Sequence, residues 1–410
     1  MQAIRYNLTV PRYLIGKMLG KFVPQVFWNG ASCTYLDTVP EPELPDEEWV
    51  VVQTRYGGIC GSDLGGIHLH SSPYYSPLNS FPFTFGHENV GKIAEAGKQV
   101  KEWNIGERVV VEPTLWCQPR GFEDLCRYCA QGENNRCERV TEGELAPGLM
   151  TGYCRDTGGS WSRYFLAHRS QLYRLPEEIS DENGLLIEPF ATGLHAALQA
   201  FPPDDATILI IGAGTIGLCT LAGLRALGSQ AHILVLARYP FQAEAARRLG
   251  ASQVISARRG ADFYQGFAEA TGARLLKPII GKRVVLGGVD QTYECTGASS
   301  SLDDALRFTR NGGKVVLVGD PGIPKGVDWT TIFSKELQVQ ATYIYNHAEA
   351  YGGQRWRTFD LAIELMRTGK VDLSWMLTHT YRLEEYGRAL AQVSQNGQSQ
   401  AIKGAFSFEA

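Results

Sequence analysis

The chain has 410 residues, of which 44% are hydrophobic and 20% charged. That balance excludes a disordered or low-complexity polymer and leaves room for two or three packed domains. Lys and Arg number 39 against 43 Asp and Glu, a net charge of −4, so no cationic excess exists to neutralise phosphates and nucleic acid is not an expected partner.

Residues 1–20 mix Arg5, Arg12 and Lys17 with apolar side chains and lack the clean apolar stretch of a secretory signal. A reducing, cytoplasmic setting is therefore expected, where nine cysteines serve metals before disulfides. Up to about residue 188, short β-type runs at 49–54, 89–94 and 108–111 alternate with Gly and Pro. They predict an irregular mostly-β barrel or sandwich with long loops, and no helix-period pattern precedes residue 180. Residues 185–187 and 192–198 read as helix, ended by Pro202-Pro203. Strands at 207–211, 232–236, 253–255, 289–295 and 314–319 then alternate with helices at 216–227, 241–249 and 301–309, which specifies an α/β unit with a parallel sheet. The stretch 258–287 has no assignment. Beyond residue 345, helices at 357–368 and 383–395 flank a strand, and 401–408 reads as a last strand. The run 206–224 carries no charge, but four glycines and two threonines make it a buried strand turning into a buried helix and not a membrane span, so no membrane partner is expected.

The strand Ile208-Leu209-Ile210-Ile211 runs into Gly212-Ala213-Gly214-Thr215-Ile216-Gly217, a G-x-G-x-x-G turn between strand and helix. Gly212 permits the tight turn, Gly214 lets a pyrophosphate approach, and Gly217 lets helix pack on strand. Thr215 and Ile216 open the helix whose N–H groups receive the phosphates. An NAD site places a carboxylate about twenty residues further on. Here the next strand ends in Ala237-Arg238-Tyr239, and Arg238 suits a 2′-phosphate, so NADP(H) is expected over NAD(H).

Cys60 lies in Gly58-Ile59-Cys60-Gly61-Ser62-Asp63, His87 and Glu88 in Phe85-Gly86-His87-Glu88, and Glu188 before Pro189. Cysteine, histidine and carboxylate make up a zinc ligand set with a position left for water or substrate. Taken singly, each also has an ordinary structural reading: a buried thiol, a turn histidine and a helix-start carboxylate. Cys117, Cys126, Cys129 and Cys137 read as a four-thiolate structural zinc lobe, which closes the coordination sphere and does no chemistry.

Together these strings resemble the zinc-dependent medium-chain dehydrogenases, the superfamily of alcohol, polyol and sugar dehydrogenases. The match extends through Gly106-Glu107-Arg108-Val109, Gly158-Gly159-Ser160-Trp161 and Glu188-Pro189, in order from about residue 45 onward. The resemblance implies a GroES-like catalytic domain from 1–189 and 345–410, interrupted by a Rossmann domain, a doubly wound parallel sheet, at 190–344. It makes Cys60, His87 and Glu188 catalytic zinc ligands, with Glu88 joining or supporting that shell. It gives Ser62 a place in the proton relay, Thr192 a place along the nicotinamide and Val318-Gly319 one at its carboxamide. Glu188 resembles the polyol, butanediol and glucose dehydrogenase branch. The implied reaction moves hydride between a small alcohol or carbonyl and the cofactor, in a homodimer or homotetramer.

Three features depart from the family. Eight residues, 118–125, separate Cys117 from Cys126. Gly65 stands where many relatives carry a relay histidine, leaving His68 or His70 as substitutes, or an exit through ribose and water. The first ~45 residues and 256–287 are longer than usual. Two other functions are open to such a chain: a zinc-free reductase of C=C or quinone bonds on the same fold, and a non-catalytic, zinc-stapled structural or redox-sensing protein. The zinc-ligand residues argue against both.

Overall fold

Strand–helix alternation in the middle of the chain builds the sheet that its period demands. The computed structural model describes residues 1–408. Pro189–Tyr345 with Glu349–Gln354 form one unit. Its six parallel strands lie in the order Gln253–Ser256, His232–Ala237, Thr207–Ile211, Val289–Glu294, Thr309–Leu317 and Gln338–Ala341. Numbered along the chain this is 3-2-1-4-5-6, the doubly wound order, which reverses beside Thr207–Ile211. Ile208, Leu209, Ile210 and Leu234 are fully buried, as strands covered on both faces require. The unassigned stretch resolves into a helix, Phe263–Thr271, and an antiparallel ribbon of Arg274–Leu276 with Val284–Leu286. The Asp262 carboxylate caps that helix by accepting from the Gln265 N–H at 3.0 Å, and Phe267 stacks on Phe308 with ring centroids 4.2 Å apart.

The other unit comprises residues 1–188, 346–348 and 355–408 of those described. In its larger sheet, Trp49–Ile59 is the central strand, paired with Asn89–Ala96, Tyr164–His168 and the late strand Lys403–Ser407. A smaller sheet sets Gln2–Tyr6 between Thr34–Thr38 and Phe83–Thr84. Two helices stand where the sequence pattern predicts none, Val10–Leu19 and Gly61–Ile67. In the first, Pro11 is tolerated in the opening turn and Gly16 lowers the intrinsic propensity, so the composition reads as loop.

Asn346–Ala348 is held in this unit by a buried carboxylate. Glu112, 1% exposed, accepts from Thr114 Oγ1 at 2.5 Å, Asn134 Nδ2 at 2.7 Å and the Tyr173 hydroxyl at 2.7 Å, and faces His347 Nε2 at 2.7 Å. Burial alone would push this carboxyl up, but the charge and hydrogen bond of His347, with Arg357 and Thr114, bring it from 4.5 down to about 2. Its contribution to stability is complete above the unfolded value near 4.5 and is lost as pH falls toward 2. Glu112→Gln is expected to cost on the order of 3 kcal/mol at neutral pH and to flatten the acid limb of stability. Urea midpoints measured across a pH series check both.

Candidate functional site

Cys60 ends the central strand and caps the helix Gly61–Ile67, its N–H donating to Asp63 Oδ2 at 3.0 Å. His87 and Glu88 precede the neighbouring strand, where the Gly58 N–H donates to the Glu88 carbonyl at 3.0 Å. The ligand atoms of Cys60, His87 and Glu88 all lie within 4.8 Å of one another. His87 and Glu88 are buried. A Cβ on Gly58 would lie 2.1 Å from Glu88 Oε2, so only glycine leaves room for the carboxylate.

Three residues to which the sequence alone gives no role, Asp63, Tyr153 and Lys403, complete the surroundings. The buried Asp63 carboxylate lies 3.3 Å from His87 Nδ1 and accepts from the Tyr153 hydroxyl at 2.9 Å. Burial opposes a charge on His87, but Asp63 outweighs it and holds the imidazole well above its usual value. That contact turns Nδ1 toward Asp63 and leaves Nε2 for a metal. Lys403, 2% exposed, forms an ion pair with Glu88, and register puts it there because Gly404 pairs with Ile59. Glu188, in the first turn of Ile187–Gln199, is not in the group of three, but its charge acts on Lys403 together with those of Glu88 and Cys60. The donor types, thiol, imidazole and carboxylate, are those of zinc.

Ser62 is exposed, with Oγ 3.4 Å from the Tyr153 hydroxyl. His68, one of the two substitutes for the missing relay histidine, has Nε2 2.9 Å from Ser394 Oγ and its ring edge-on to Phe27 and Trp28. His70, the other, is exposed.

The sulfurs of Cys117, Cys126, Cys129 and Cys137 also converge, all within 4.8 Å of one another. The eight-residue insertion does not pull them apart, because Arg120 anchors it. This side chain is fully buried and donates to the carbonyls of Leu115, Glu142, Leu145, Ala146 and Gly148 at 2.6–3.3 Å. Arg139 secures the outer edge, stacked over Phe122 at 4.6 Å and paired with Asp124 at 3.0 Å.

In the second unit the glycine turn has the geometry that a phosphate cradle needs. Gly212 has φ +98°, and a Cβ on Gly217 would lie 1.8 Å from the Gly212 carbonyl oxygen. A Cβ on Gly214 would meet nothing within 4 Å, so the turn is open on this side. Thr215 and Ile216 begin the helix Thr215–Ala226. Arg238 is exposed past the strand His232–Ala237, over the Tyr239 ring at 5.5 Å. Thr192 is half-buried in Ile187–Gln199. The N–H groups of Val318 and Gly319 both donate to the Glu294 carbonyl at 2.9 Å, which fixes the bend after Thr309–Leu317.

Comparison with known proteins agrees with this geometry. Residues 46–177 match the model of the alcohol dehydrogenase GroES-like domain, and residues 215–365 match that of the zinc-binding dehydrogenases. Sorbitol dehydrogenase of Bacillus subtilis is 30% identical over 88% of this chain and 90% of its own length. L-idonate 5-dehydrogenase of Vitis vinifera is 28% identical over 82% of this chain and 81% of its own. The crystal structure of an Escherichia coli oxidoreductase of unknown specificity superposes with a TM-score of 0.73 at 26% identity, covering both chains completely.

Proposed function

Because this chain belongs to the zinc-dependent medium-chain alcohol dehydrogenase family, we propose that it oxidises a polyol or other secondary alcohol, or reduces the matching carbonyl, with NADP(H) as its hydride partner. The convergence of Cys60, His87 and Glu88, a zinc-type donor set with its ligand atoms within 4.8 Å of one another, carries this reading.

Cys60 and His87 would hold the catalytic zinc together with a carboxylate, Glu88, whose oxygen lies beside them, or Glu188. When bound, zinc supplies the Lewis acidity that lowers the pKa of a coordinated hydroxyl. Asp63 orients the His87 ring, and Tyr153 orients Asp63. The exposed hydroxyl of Ser62 is placed to pass the alcohol proton toward solvent. The Gly212–Gly217 turn takes the pyrophosphate, and Thr192, Val318 and Gly319 hold the nicotinamide. Cys117, Cys126, Cys129 and Cys137 would hold a second, structural zinc. All nine cysteines are free, which supports a reducing compartment such as the cytoplasm, and the family resemblance supports a homo-oligomer.

Substrates supported by the names of the relatives include the polyol sorbitol and the sugar acid idonate. A panel of polyols and secondary alcohols, assayed with NADP and with NAD by absorbance of the reduced nicotinamide, tests the reading. Turnover is expected with NADP and is expected to shift toward NAD in Arg238→Asp, with kcat/KM for NADP falling about a hundredfold as a charge-assisted phosphate interaction becomes repulsive. An unchanged preference in that variant rejects the assignment of Arg238.

A further inference from the structure

The helix Val10–Leu19 carries its side chains the wrong way round for a surface helix. Its fully buried position is Gly16, flanked by half-buried Arg12 and Tyr13: a Cβ on Gly16 would lie 2.5 Å from Ser32 Oγ and 2.6 Å from Leu69 Cδ1, and one on Gly20, just past the helix, 2.2 Å from Phe27. Its outward positions are large and apolar. Val10 is 72% exposed, Leu14 50% and Met18 68%, and Phe22 in the turn that follows is 82% exposed. A surface helix ordinarily buries such residues, so this face is made to be covered by something apolar. The antiparallel strands Gln2–Tyr6 and Thr34–Thr38 hold the segment at both ends, and Lys17 Nζ donates to the Leu69 carbonyl at 2.6 Å, so the face is presented in a fixed pose.

Charge narrows what covers it. The first acidic residue of the chain is Asp37. At the chain's own density, 43 acids in 410 residues, about four would fall in the first 36 positions. Arg5, Arg12, Lys17 and Lys21 stand there instead; Arg5, Arg12 and Lys17 are each tied to a backbone carbonyl yet keep their charge, and Lys21 is exposed beside the apolar residues. A second copy docked through the same face would bring two positively charged patches together, because a two-fold interface pairs a patch with itself. An anionic bilayer supplies acyl chains for Leu14, Met18 and Phe22 and headgroups for the lysines.

We propose that residues 10–23 form a peripheral docking face for an anionic membrane surface. The expectation of no membrane partner rests on the lack of a spanning run, and no helix among the described residues is long and apolar enough to cross a bilayer. A helix lying in the interface needs no such run.

The test mixes the purified full chain with vesicles of phosphatidylcholine containing phosphatidylglycerol, or of phosphatidylcholine alone, and measures co-sedimentation at low and high salt. Binding is expected to the anionic vesicles, tighter than to the neutral ones by about fivefold for each lysine that reaches the charged surface, and weakened by salt. Met18→Ser with Phe22→Ser is expected to reduce it about tenfold or more, with nucleotide binding and far-UV circular dichroism unchanged. Absence of binding to anionic vesicles, equal binding to neutral ones, or binding indifferent to the double variant overturns the proposal. A wild-type dimer that the double variant splits into monomers also overturns it, by giving the face to a second copy.

Discussion

Cys60→Ser is expected to lower turnover by about a thousandfold or more while leaving nucleotide affinity intact. The thiolate is the softest donor in the group of three, and serine replaces it with a hydroxyl that does not ionise at neutral pH. Two carboxylates, Glu88 and Glu188, then face Lys403 with one fewer negative charge to hold a divalent ion. The nucleotide turn belongs to the other unit and keeps its geometry. Metal analysis is expected to fall from about two zinc ions per chain to about one, the remainder held by Cys117, Cys126, Cys129 and Cys137. NADPH fluorescence titration reads the affinity. Retained turnover in this variant would end the assignment of the catalytic metal.

Arg120→Met is expected to cost the other zinc. All five guanidinium donors are used by backbone carbonyls, with no carboxylate among the partners. Methionine fills much of the volume and leaves those acceptors unmet, at about 1–3 kcal/mol for each one that water cannot reach, enough to release the insertion that carries Cys126 away from Cys117. Lysine in its place is not expected to rescue, since one ammonium cannot span five acceptors on two sides of a planar fork. The checks are zinc content, which should drop by about one ion per chain, and limited proteolysis within 118–148, which should become rapid. Two bound zincs and unchanged proteolysis would show that the insertion holds itself.

The two halves of the fold differ in how far they can be read from sequence. In the nucleotide unit, strands buried on both faces and helices of ordinary length leave separate periods, and G-x-G-x-x-G is a local signal whose three glycines stand at a tight turn, an open approach and a close packing point. The ribbon 274–286 is unreadable because its strands are three residues each and largely exposed. In the other unit the helix Val10–Leu19 escapes notice because its small residues face in. The site shows the same division. Cys60 and His87 are legible because few residue types bind zinc and they sit in short motifs, but the sequence ranks Glu188 before Glu88 as the third ligand, and the structure groups Glu88 and not Glu188 with them. Lys403 and Tyr153 are not legible, because Lys403 comes to Glu88 from 315 positions away and Tyr153 to Asp63 from 90, and a lysine in a last strand or a tyrosine in a glycine-rich loop has no local pattern to mark it. Arg120 reads as one more charged loop residue, and only its five carbonyl partners reveal a buried anchor.

The pairing of Lys403–Ser407 with the central strand has a consequence for biogenesis. Synthesis runs from the N-terminus, so Trp49–Ile59 emerges long before the segment that covers its edge, and the whole inserted unit is made in between. Until Lys403–Ser407 has been made, that edge offers unpaired amides to any passing strand, and the Glu88 carboxylate lacks this counterion. The candidate metal pocket is thus completed only after the inserted unit has been translated, and a chain without residues 403–407 would lack both the edge's cover and the cation paired with Glu88.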